Sequence, residues 1–359
     1  MNPALSIWLD LSRVVAALAV FVGHSRYFDL APEAIGRTWH RSAEDAVTAF
    51  FVISGIVIAH ATQGAQATVR SYFLARASRI YSVALPTVLC ALALDHIGMR
   101  FDPTVYLANY GYDQAGLRIV FHWLFLGETW FGSSQPFSMA PYWSLGYEVW
   151  YYVFFGCLTL LTGRARWLAA GGVLLVMGPR IWLLLPTWWL GVLLYRRLGW
   201  FRMRRVPAAG LMAGSVLAYG TFLASGLRDW TDAASRQLYA VFNAWLPSPF
   251  VPGESAHVLS DYSIALLFCA FVIGCANCGF GFGPRSATAI CRLAAYTFTF
   301  YLIHFTLLAL LKALGVGEPG WGGYAAIMAA MFAATWAIAQ IGEQRRSWYR
   351  DALAKTWRA

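Results

Sequence analysis

The chain is predicted to be an all-α polytopic membrane protein with about ten transmembrane helices and both termini cytoplasmic. Three observations carry that prediction. Apolar residues make up 59% of the 359 positions and charged residues only 12%, against roughly 45–50% and 25% in a soluble domain. Runs near the roughly 20 apolar residues that cross a bilayer recur from end to end. The net charge of +10 is almost all arginine, Lys312 and Lys355 being the only lysines, and the arginines lie scattered between apolar runs. Nucleic-acid binding would gather them on one soluble face; their scatter is a topology signal instead.

Taken in order, the expected spans are 8–28, 45–61, 80–98, 142–162, 167–178, 181–198, 208–226, 259–280, 291–314 and 323–342. The apolar piece near 117–126 is too short to cross and is read as re-entrant or interfacial. Making it a span would invert everything after it and put the arginine cluster at 196–205 outside, against the positive-inside rule. No repeat, linker or low-complexity stretch divides the chain, so 1–359 is expected to be one membrane domain without a fused extracytoplasmic domain. The inserts at 100–141 and 229–257 fall outside, and neither is large enough for a separate catalytic domain. No small-residue cleavage site follows the first span, so it is read as retained. Cys275 and Cys278 form a lone Cys-x-x-Cys with no second pair or histidine cluster, which is packing chemistry rather than a zinc site.

The first span organises the rest. It carries Asp10, Arg13 and His24, and ionisable groups in hydrocarbon cost several kcal/mol, so they face a bundle interior or a wet cavity. Eleven residues separate Arg13 from His24, close to three turns, which puts both side chains on one stripe about 16 Å apart. That stripe reads as the wall of a reaction channel. The plainer reading is a packed histidine and a snorkelling arginine.

Further polar signals follow in apolar surroundings. The second span holds Phe50-Phe51-Val52-Ile53-Ser54-Gly55, where small residues let helices approach. Arg76 and Arg79, three apart before Tyr81, share a helix face suited to phosphate oxygens; alone they equally serve topology. Trp143, Ser144 and Glu148 open the fourth span, with the carboxylate set among aromatics. The ninth contributes Tyr301 and a second intramembrane histidine, His304, as a substrate-site residue or an interhelical hydrogen bond. Trp130, Phe131, Trp230 and Trp245 in outer loops suit either sugar stacking or an interfacial belt.

Together these residues resemble the acyltransferase-3 family of integral membrane acyltransferases. The resemblance rests on Leu9-Asp10 with Arg13 and His24, Phe50-Phe51-x-x-Ser54-Gly55, Arg76-x-x-Arg79-Ile80-Tyr81, Trp143-Ser144-Leu145-x-x-Glu148 and Tyr301-Leu302-Ile303-His304, in family order over nearly the whole chain. Leu11 and Val14 stand where many members have glycine, and Ser82 where proline is common. The resemblance implies transfer of a short acyl group, acetyl first, from cytoplasmic acyl-CoA to a hydroxyl of a carbohydrate or lipid-linked glycan, without a metal, in a bacterial cytoplasmic membrane. His24 is expected as general base, since an imidazole of pKa about 6.5 suits neutral pH. Arg13, with Asp10 three residues earlier, would hold donor polar groups or stabilise developing negative charge. Arg76, Arg79 and Tyr81 would bind the coenzyme A end, and Glu148 would position His24 or the acceptor. Ser54, Trp143, Ser144, Tyr301 and His304 are expected to support the substrate or the structure. The alternative is a proton-coupled transporter built on the same intramembrane Arg, His and Glu; no inverted repeat or paired broken helices support it.

Overall fold

The computed structural model describes residues 2–36, 39–63, 68–130 and 132–356, and all of their regular secondary structure is helical. Arg37, Phe131 and Arg358, read from sequence as topology or surface residues, lie outside the described residues.

The first helix, α1 (Pro3–Tyr27), starts earlier than the expected span because the Asn2 side chain accepts from Ala4 N–H at 3.0 Å and Pro3 fixes the first turn. It is followed by α2 (Trp39–Ala61). α3 (Val69–Gly98) begins eleven residues ahead of the expected 80. Thr68 and Ser71 cap it reciprocally, with bonds of 3.1 and 3.0 Å. Arg76 and Arg79 therefore sit on a helix, not in a connecting segment. After the short α4 (Thr104–Leu107) comes α5 (Ala115–Trp123), whose 9 residues rise only about 14 Å. This is the piece expected near 117–126, and it does not cross. Tyr142 Oη and Tyr81 Oη pin its end through the carbonyls of His122 and Trp123, at 2.9 and 3.0 Å.

α6 (Tyr142–Leu160) leads into α7 (Gly163–Arg197), which breaks at Gly178 (φ 73°). Trp182 Nε1 donates to Leu174 O at 2.9 Å. A straight helix would hold those residues about 12 Å apart along its axis, so the bond fits a chain that bends at the break. The expected division between 178 and 181 falls there. The remaining helices are α8 (Arg205–Ala224), α9 (Leu227–Asn243), α10 (Val258–Asn277), α11 (Pro284–Ala294), α12 (Thr297–Ala313), α13 (Trp321–Ile341) and α14 (Arg346–Thr356).

Two expectations need correction here. The single span at 291–314 is a pair, α11 and α12, bent by 51°. The insert at 229–257 is not a plain loop: α9 fills much of it, burying Arg228, Thr231, Asp232 and Ser235 while Trp230 stays 65% exposed. Among the described residues seven helices are long and apolar enough to cross a membrane, eight if the bent pair counts as one. The count differs from ten because α7 is one apolar stretch across its break and α6 is rich in tyrosine and tryptophan. Those tyrosine rings are interior: Tyr147 and Tyr151 are fully buried, and Tyr151 Oη donates to Ile181 O at 2.8 Å.

Two glycines bring α2 and α7 together. A Cβ on Gly55 would stand 2.1 Å from Trp188 O, and one on Gly191 2.1 Å from Val52 O, so α2 and α7 touch backbone to backbone. At one end of the bundle the first turns of α3 and α12 meet the chain just after α13. Arg346 Nη2 donates to Ala75 O at 2.9 Å, and Glu343 accepts from Thr299 Oγ1 at 2.8 Å. The opposite end is tied by a buried ionic group that no local sequence pattern reveals. Arg228 meets Asp45 at 2.6 Å and Glu44 at 3.2 Å, Tyr219 Oη donates to Asp45 at 2.7 Å, and Thr48 Oγ1 to Asp261 at 2.7 Å.

Candidate active site

Where α1, α2, α3, α6 and α12 converge they leave a cavity that opens to the outside. Its polar lining is Arg13, Ser54, Arg76, Arg79, Ser144, Glu148, Tyr152, Thr297 and Tyr301; Phe50, Phe51 and Phe298 supply much of the apolar wall. Arg13 is held by Asp10 at 3.0 Å, one turn earlier on α1. Arg76 lies over the Tyr152 ring and Arg79 over the Phe298 ring, at 5.9 and 5.7 Å.

One hydrogen-bond chain runs along this wall with its direction set by chemistry. Trp188 Nε1 only donates, and it does so to Ser54 Oγ at 3.0 Å. Ser54 Oγ lies 3.0 Å from Tyr152 Oη, which donates to Glu148 Oε1 at 2.5 Å. Every hydrogen in the series can then point toward the Glu148 carboxylate, which lines the cavity together with the arginines. Sequence reasoning misses Tyr152, although its place four residues after Glu148 puts it on the same helix face. Trp143 packs edge-on to Phe51 and Tyr147, with ring centres at 6.1 and 5.2 Å. Tyr301 Oη bonds Ser144 Oγ at 2.8 Å, joining α6 to α12.

His24 does not line this cavity. It stands farther along α1, where its ring stacks on His304 with centres 5.1 Å apart and meets the Phe305 edge at 4.9 Å. His304 is fully buried; its Nδ1 faces the carbonyl oxygens of Phe300 and Tyr301 at 3.1 and 2.8 Å. Carbonyls only accept, so Nδ1 of His304 carries hydrogen. In a neutral ring its Nε2 is then the acceptor for His24 Nδ1, 2.8 Å away. Neutral His24 keeps its hydrogen on Nδ1, which makes Nε2 its basic nitrogen. His24 and the cavity share one wall through Tyr301, whose side chain lines the cavity and whose carbonyl holds His304.

Set against the expectations, Arg13, Ser54, Arg76, Arg79, Ser144, Glu148 and Tyr301 come together, and His24 joins His304 beside them. Glu148 is bonded to Tyr152 and not to His24; the residue bonded to His24 is His304, through an interhelical hydrogen bond, one of the two readings expected for it. Tyr81, expected at the coenzyme A end, bonds the Trp123 carbonyl and is absent from the cavity wall. Among the described residues no group of three or more His, Cys, Asp or Glu side chains forms a metal-ligand set. Cys275 and Cys278 are buried and form no disulfide.

A family model described as an acyltransferase domain matches residues 6–340, nearly the whole chain. No curated protein and no solved structure matches it. The cavity and the histidine pair both fall within the matched stretch, and the chain belongs to the acyltransferase-3 family, whose chemistry is acyl transfer to a hydroxyl at a membrane.

Proposed function

We propose that this protein transfers a short acyl group, acetyl first, from acyl-CoA to a hydroxyl of a carbohydrate or lipid-linked glycan, in a bacterial cytoplasmic membrane. The two chain ends and the arginine end of the cavity face the cytoplasm in this reading, which ten crossings would satisfy. Arg76 and Arg79 bind the phosphates of coenzyme A at the cavity mouth, as forked guanidiniums do. The narrow pantetheine arm runs along α1 past Arg13, about 16 Å toward His24. His24 Nε2 takes the proton of the acceptor hydroxyl as its oxygen attacks the thioester carbonyl. The tetrahedral oxyanion then collapses, the C–S bond breaks, and His24 returns the proton to the departing thiolate, giving the ester and free coenzyme A. His304 holds the base in the required tautomer.

The observation that carries this reading is the bonding behind His304, which makes Nε2 of His24 the basic nitrogen. The test is release of free coenzyme A from acetyl-CoA by purified wild-type and His24→Ala protein, with and without an envelope carbohydrate extract. Acceptor-dependent release in the wild type and its loss in folded His24→Ala protein is the expected result. Undiminished turnover in His24→Ala would remove His24 from the chemistry.

A further inference from the structure

Beyond the matched stretch the chain makes one more helix, α14, and it packs at the arginine end of the cavity. The turn leading to it is tight: a Cβ on Gly342 would stand 2.6 Å from Ser82 O, so α13 ends hard against α3. Glu343 follows and accepts from Thr299 N–H and Oγ1 at 3.1 and 2.8 Å. α14 then lies along the first turns of α3, with Arg346 Nη2 donating to Ala75 O at 2.9 Å and Arg70 Nη2 to Ala354 O at 3.4 Å. Ala75 immediately precedes Arg76, so half-buried Arg346 stands within electrostatic reach of both Arg76 and Arg79.

Such crowding of like charge is unfavourable without an anion between them. Of the carboxylates in this region, Asp10 pairs with Arg13 and Glu148 accepts from Tyr152; Glu343, bonded to Thr299, is the one set against Arg79 and Arg346, one carboxylate for three guanidiniums. Arg76 Nε is buried with no hydrogen-bond partner. A guanidinium has five N–H donors, and the bond to Ala75 O uses one of those on Arg346.

We propose that α14 is a wall of the donor site and that Arg346, with Arg76 and Arg79, binds a phosphate of the donor nucleotide. This rests on the acyl-CoA reading above. An anionic lipid headgroup offers the same phosphate chemistry, so the test separates the two sources.

Binding of coenzyme A to purified full-length protein is measured in uncharged detergent for wild type, Arg346→Ala, Arg346→Lys and Arg350→Ala, then repeated with phosphatidylglycerol vesicles. Arg346→Ala is expected to weaken coenzyme A binding about 10- to 100-fold, with turnover at saturating acetyl-CoA within about twofold of wild type. Arg346→Lys keeps a charge able to reach Ala75 O but loses the fork, and should bind about threefold or more weaker; it decides the matter if Arg346→Ala does not fold. Arg350→Ala, at an exposed position on the same helix paired with Asp351, should change binding far less than Arg346→Ala. Wild-type affinity in both Arg346 variants overturns the proposal, as does a difference seen only with the lipid, which would assign Arg346 to a headgroup. Wild-type protein that binds no coenzyme A would instead remove the donor reading itself.

Discussion

Nε2 of His304 stands 2.8 Å from Nδ1 of His24, and the carbonyls behind His304 decide which ring donates. In the proposed reaction His304 is thereby a positioning residue, acting on the acceptor through His24. Replacing it by alanine takes this acceptor away from the Nδ1–H of His24 and lets the ring turn or change tautomer. The expected result is a fall in kcat of roughly 10²-fold at unchanged KM for the acyl donor, together with a displaced pH–rate profile. A variant that only melts earlier, with kcat and profile intact, would reduce His304 to packing.

The chain from Trp188 through Ser54 and Tyr152 to Glu148 makes a second prediction. Tyr152→Phe takes away the 2.5 Å bond to Glu148 and an acceptor for Ser54. Stability should drop by about 1–3 kcal/mol, the usual penalty for stranding a partner in a buried site. Trp188→Phe ends the chain one link earlier, at the 3.0 Å bond to Ser54, and should cost about 1 kcal/mol for the hydrogen bond itself. Denaturant unfolding in detergent measures both; a Tyr152→Phe protein as stable as wild type would show that the chain contributes nothing.

The contact of α2 with α7 yields a third. Gly55→Ala would drive a methyl against the Trp188 carbonyl, and Gly191→Ala one against the Val52 carbonyl, each placed at 2.1 Å before relaxation. Backbone cannot move aside as a flexible side chain would, so each change should cost about 1–3 kcal/mol. Ser54 rides on the same turn as Gly55, so the cavity should deform and KM for the donor rise. Gly171→Ala, where a Cβ meets open space, is the control and should lie within about 0.5 kcal/mol of wild type or be slightly stabilising. Unfolding of all three variants in one detergent gives the comparison, and a Gly55→Ala protein no less stable than the control would mean that the helices part at no cost.

Much of this site is legible in the sequence because its residues lie in short, helix-spaced groups. Arg13 and His24, Arg76 and Arg79, and Tyr301 and His304 are each separated by close to a whole number of turns, so periodicity alone puts each pair on one face. What stays hidden depends on contacts between distant parts of the chain. Arg228 and Asp45 lie 183 residues apart, and nothing local marks them as a pair. The partner of His24 is 280 residues away on α12, and the intramembrane carboxylate of Glu148 offers itself first as its support. The Thr68–Ser71 cap extends α3 through polar residues, where a search for apolar runs starts too late. The bend between α11 and α12 arises in an apolar stretch with no Pro or Gly at the break to announce it.

The fourth prediction concerns pH and Glu128, in the segment between α5 and α6. Its side chain is buried, 5% exposed, and its Oε2 has no hydrogen-bond partner. Burial pushes this carboxyl up to about 8, with the Glu254 charge adding to the rise and Arg180 opposing it. The folded-state value lies above the ordinary 4.5, so the fold prefers the protonated form. Stability from this group is fully present below about pH 4.5, is lost as the pH rises toward about 8, and changes no further once the carboxyl is ionised in the fold as well. At about 1.4 kcal/mol per unit the loss is at most roughly 5 kcal/mol, and relaxation around the carboxylate lowers it. Glu128→Gln keeps the shape and cannot ionise. Its unfolding midpoint should therefore fall much less than that of wild type between about pH 5 and about pH 8.5, values that bracket most of the titration. Thermal unfolding of both proteins in the same detergent at the two pH values gives the comparison. Parallel losses in wild type and variant would show that Glu128 is not the group responsible.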